Sequence, residues 1–135
     1  HIEAWCNYYN YDQTTAVKIW DEANENAEYL HTVINEFSNV PEIQQVVVIT
    51  HTCPSSKVIG LPTHDFNLAE ASTFTNSAMN DVLSVDAKRK ISAWCFGHIN
   101  NCYDIEIDGV GYISNPRGTP IHHPTPVYFP KMVVV

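Results

Sequence analysis

Three observations in the sequence predict an α/β fold built on a mixed β-sheet with flanking helices. Helical periodicity over residues 14–37 leads into a run of five β-branched residues, Val46 to Thr50. A second apolar, β-prone run, Ile91 to Phe96, follows well downstream. Residues then alternate on both sides of Asp108-Gly109, the mark of a hairpin. Such an order of helix, strands and hairpin belongs to a layered α/β domain. One domain spanning residues 1–135 is expected, because a chain of 135 residues hides roughly two-thirds of its unfolded surface.

Each element has its own warrant. From Thr14 to Phe37 the residues Val17, Trp20, Ala23, Ala27, Leu30, Val33, Ile34 and Phe37 recur at three- and four-residue steps among Asp, Glu and Asn. An amphipathic helix with these side chains inward is expected, ended by Asn39 and Pro41. The uninterrupted apolar run Val46 to Thr50 reads as a strand covered on both faces. His51 to Ser56 reads as a loop that continues to Asp65 through Gly60 and Pro62.

Asn67 to Leu83 is expected to contain a helix with Ala71, Phe74, Ala78 and Leu83 inward. Ser84 to Lys90 connects it to the strand Ile91 to Phe96, where Gly97 is expected to let the backbone turn. Tyr103 to Ile107 and Val110 to Ser114 form the hairpin, and residues 115–120 a loop. Val127 to Val135 reads as a last strand interrupted by Pro130.

Composition narrows the function. The formal charge is -8, from 7 Lys+Arg against 15 Asp+Glu. No dense basic stripe is present to neutralise phosphates, which argues against general nucleic-acid binding. A small anionic substrate would need a local cation such as a bound metal. Cys6, Cys53, Cys95 and Cys102 show no paired CxxC spacing and read as reduced thiols. No apolar run approaches the ~20 residues of a membrane span and no signal peptide opens the chain. A soluble protein, cytoplasmic or carried in a phage particle, is expected. The chain starts at His1, its first dozen residues are an aromatic, Asn-rich tract, and it is expected to be a truncation.

The chemistry centres on His51 and His98. Each follows a buried-type strand, a stiff mount for a metal ligand at the rim of a sheet; the alternative is an ordinary histidine bonded to a nearby carbonyl. Asn100, two residues past His98, offers an amide oxygen to a hard cation or simply turns the loop. His64 and Asp65 read as a solvated loop pair, a substrate contact or a further ligand set. His122-His123 reads as surface. Arg117, framed by Pro116 and Gly118, aims a guanidinium at a phosphate or ties down its own loop. Cys53 lies two residues after His51, but no base beside it supports a nucleophile.

Four ordered motifs carry a resemblance: Val46-Val47-Val48-Ile49-Thr50-His51-Thr52-Cys53-Pro54-Ser55, then Asn76 to Asp81, then Trp94-Cys95-Phe96-Gly97-His98-Ile99-Asn100, then Ser114-Asn115-Pro116-Arg117-Gly118. From about Ala16 onward the chain resembles the C-terminal half of the calcineurin-like metallophosphoesterases of bacterial and phage type. The resemblance implies half of that family's β-sandwich. It implies divalent metal ions (Mn, Fe or Zn), with His51 and His98 as ligands of one ion. It further implies hydrolysis of a phosphate-ester substrate by a metal-activated hydroxide, and a cleft shaped by Asn115 and Arg117.

Two departures qualify this. The family's GHxH reads Gly97-His98-Ile99-Asn100 here, and an amide oxygen is a poorer transition-metal ligand than imidazole. The family's earlier motifs, DxH, GDxxD and GNH, do not occur in the chain. The expectation is therefore a C-terminal portion, inactive alone, whose partner is the missing N-terminal half or another subunit. The alternative is a non-catalytic structural or assembly protein that retains half of the fold. A third reading, a small one-metal enzyme using His51, His98 and Asp65, ranks last.

Overall fold

The computed structural model describes residues 6–7, 10–60, 74–117 and 129–133. It opens with a long helix, α1 (Gln13–Asn39), whose first turn is capped by Asp12. That carboxylate accepts from Thr15 N at 2.9 Å and from Thr15 Oγ1 at 2.8 Å, satisfying a backbone donor that has no partner within the helix. The far end is held from another element. Lys90 Nζ donates to Phe37 O at 2.8 Å and to Val40 O at 2.6 Å, so a cation meets the negative end of the helix dipole.

The buried stripe of α1 is narrower than the sequence suggests. Ala16, Ala27 and Ile34 are buried, whereas Val17 and Phe37, expected inward, are exposed. Val17 and Phe37 fall to the flanks of a stripe built from Ala16, Ala27 and Ile34.

A sheet of four strands follows: β1 (Val46–Thr50), β2 (Ile91–Phe96), β3 (Tyr103–Ile107) and β4 (Val110–Ser114). Their order is β1-β2-β4-β3, with β1, β2 and β4 parallel and β3 antiparallel to β4. The fold is α/β with a mixed sheet. Asp108 and Gly109 both have positive φ, 54° and 84°, the pair that a two-residue type I′ hairpin turn requires. Trp94 in β2 is fully buried and lies in register between Val48 and Tyr112. It anchors a core that also takes in Ile59, Met79, Val82 and Phe96.

Four expectations are corrected. β1 is not covered on both faces: Val47 is 41% and Ile49 77% exposed, because β1 is an edge strand with only the Val48 side packed. Where one helix was expected to reach Leu83, two 3₁₀ turns stand, Ser77–Asp81 and Leu83–Val85. Asn76 explains the first, since its side chain accepts from Ala78 N and its amide donates to Ala23 O in α1 at 2.9 Å. The loop after β1 contains a short helix, α2 (Ser56–Ile59), capped by Ser55. Residues 129–133, expected within a last strand, lie outside the sheet. The first part of the 67–83 region lies outside the described residues, as do His64, Asp65, His122 and His123. Among the described residues no helix is long and apolar enough to cross a membrane.

Candidate metal centre

Parallel pairing of β1, β2 and β4 brings the segments that follow them to one edge of the sheet, the edge where open α/β sheets place their ligands. His51 follows β1 and His98 comes two residues after β2. Their ring centroids lie 4.9 Å apart at an interplanar angle of 58°. The backbone locks the two loops together, with Gly97 N donating to His51 O at 3.0 Å.

His98 carries the unusual backbone, φ 64°. Gly97, expected to make the turn, has no positive φ, and a Cβ there would sit at ordinary contact distance, 3.7 Å, from His51 Nδ1. The left-handed turn at His98 lies between half-buried Gly97 and buried Ile99, and the ring centroids of Phe74 and His98 lie 5.4 Å apart. Burial, and next the neighbouring charge of His51, hold His98 below the ordinary imidazole range. The ring is therefore neutral at neutral pH, the state a metal ligand needs.

His51 is exposed but not loosely mounted. Trp94 Nε1 donates to Thr50 Oγ1 at 2.9 Å, and that hydroxyl donates to Thr52 O at 2.7 Å. The residues on either side of His51 are thus fixed to the core. Two imidazoles sharing one ion, at metal–nitrogen distances of about 2.0–2.1 Å and near-tetrahedral to right-angle geometry, have centroids about 4.6–5.3 Å apart. The observed separation fits that spacing. Among the described residues no group of three or more His, Cys, Asp and Glu that could hold a metal ion comes together.

The remaining candidates make no shown contact with the pair. Asn100 is exposed on the loop after His98. Asn115 follows β4 at the same sheet edge, and its Nδ2 donates to Phe129 O at 3.0 Å. Arg117 is exposed. Cys53 is fully buried, its thiol pushed up to about 12 by burial and donating to Ser55 O at 3.4 Å. An inert core thiol of this kind is no nucleophile.

Both histidines open into a cleft of about 540 Å³ between α1 and the end of β1. Glu22, Asn26 and Tyr29 line it from α1. The sequence reading passed over all three, although their i, i+4, i+7 spacing on the polar side of the helix was there to be read. Asn100, Asn115 and Arg117 are not part of this lining. No family model matches the chain, and neither a curated protein nor a solved structure does.

Proposed function

We propose that His51 and His98 hold one divalent ion, and that the chain is the histidine-bearing portion of a metal-dependent phosphoesterase. The observation that carries this reading is the 4.9 Å approach of the two rings at the ends of adjacent parallel strands, beside a cleft. A bound Mn, Fe or Zn ion supplies positive charge toward phosphoryl oxygens and activates water. The chain's own residues do the rest. His98 stays neutral through burial, the Trp94–Thr50–Thr52 chain fixes the segment bearing His51, and the cleft admits the ester.

Two neutral imidazoles hold a divalent ion weakly and offer no negative charge to offset it. The described residues bring no carboxylate to the pair, and the sequence carries none of the DxH, GDxxD and GNH motifs, so the chain by itself is expected to be inactive. Calorimetric titration of the full chain with Mn²⁺ tests the reading. One ion per chain is expected, lost in both His51→Ala and His98→Ala, with no turnover of a chromogenic phosphate ester. Absence of uptake, or uptake indifferent to both substitutions, overturns it.

A second reading, a non-catalytic assembly protein, is favoured by the exposed Ile49 and Val47 of β1 and by Asn100 in the last position of the motif. It predicts no specific uptake, so the same titration separates the two.

A further inference from the structure

The cleft beside the histidines is far larger than a phosphoryl group requires. At about 540 Å³ it falls within the range of small-molecule sites, ~300–1,000 Å³. A phosphoryl group fills the space of only about two waters, ~60 Å³. The α1 face that lines it runs from Ile19 to Leu30, about 16 Å of helix at 1.5 Å per residue. Most of the space is left for the organic part of a ligand.

The walls define that part. Among the described lining residues there is no Lys or Arg, and the one carboxylate is Glu22. A second charge on the ligand, away from the histidines, would meet no cation and face an acid, an arrangement that rejects polyanions. Tyr29 is 68% and Ile49 77% exposed, and both line the cleft. They offer a planar aromatic face and an aliphatic face to a flat apolar group, and the Asn26 amide on the same wall offers both a donor and an acceptor to that group's edge.

We infer that the cleft selects phosphate esters with a single phosphate and an uncharged planar aromatic group, aryl or nucleoside monophosphates, over inorganic phosphate and polyphosphates. The inference rests on the metal reading above and assigns that site its substrate class.

The test is titration of the Mn²⁺-loaded full chain with phenyl phosphate, adenosine monophosphate, inorganic phosphate and pyrophosphate. Both aromatic esters are expected to bind about tenfold more tightly than inorganic phosphate, the scale of one aromatic stacking contact. Tyr29→Ala, at an exposed position, removes that advantage while Mn²⁺ uptake persists. Glu22→Gln strengthens pyrophosphate binding selectively. Equal binding of phenyl phosphate and phosphate, or tightest binding of pyrophosphate, overturns the inference alone. A chain that takes up no Mn²⁺ sinks the metal reading and this inference with it. Tighter binding of adenosine monophosphate than of phenyl phosphate identifies the nucleoside as the source of the aromatic group, and the reverse identifies the simple aryl ester.

Discussion

Trp94 Nε1 donates to Thr50 Oγ1 at 2.9 Å across the β1–β2 ladder, tying the most deeply buried aromatic of the core to the residue before His51. Thr50→Val keeps the branched shape but leaves the indole N–H without its acceptor and frees the Thr52 carbonyl. A loss of about 1–3 kcal/mol is expected from denaturant unfolding. Metal uptake weakens by about tenfold, the lower end of the effect of removing a group that orients a ligand. Thr50→Ser, which keeps the hydroxyl, restores both. Unchanged metal affinity in Thr50→Val removes the hydroxyl from any role in aiming His51.

The metal-free protein is expected to lose stability in mild acid through His98. Its imidazole, held below the ordinary value of 6.5 by burial and then by His51, takes up a proton later than it does in the unfolded chain. Between the two values the unfolded state binds more protons, so stability falls as pH drops below about 6.5 and the contribution is constant above it. His98→Asn tolerates the left-handed backbone and flattens this slope. Urea midpoints of both proteins at pH 7 and pH 5 measure it; equal shifts place the acid sensitivity elsewhere.

Asp86 sets the start of β2. Its two carboxylate oxygens accept from Lys90 N at 2.9 Å and Ile91 N at 2.7 Å, at a buried position. Asp86→Ala leaves both donors without an acceptor and costs about 1.5–3 kcal/mol. Asp86→Asn retains one acceptor oxygen and costs less. Thermal or urea unfolding of the pair reads the difference, and equal losses would mean that charge rather than geometry matters here.

Gly109 isolates the conformational cost of the hairpin turn. Its φ is 84°, and a Cβ there meets nothing within 4 Å. Gly109→Ala therefore costs about 1–2 kcal/mol through backbone strain alone, whereas Asp108→Gly, at φ 54°, is tolerated. Unfolding free energies of the two variants check the contrast.

Much of the architecture was legible because backbone chemistry is local. The extents of β1, β2 and the hairpin follow from the β-branched run Val46 to Thr50, the apolar run Ile91 to Phe96 and Asp108-Gly109, and α1 from its periodicity. The meeting of His51 with His98 follows once β1 and β2 pair in parallel. The exposure of Val47 and Ile49 was not legible, since an apolar run does not say whether a strand has neighbours on both sides. Nor was the replacement of a helix by 3₁₀ turns after Asn76, whose side chain takes the Ala78 N–H. The Thr50–Trp94 bond joins residues 44 apart, and no periodicity encodes such a pairing.

The separation of β1 from β2 along the chain also bears on the order of assembly. The hairpin closes through a two-residue turn, whereas the β1–β2 ladder must close a long loop before any pairing repays its entropy. The two imidazoles can therefore become neighbours only once that distant ladder has zipped. If the proposed ion binds, its capture by the ordered pair is expected to follow that ladder rather than precede it.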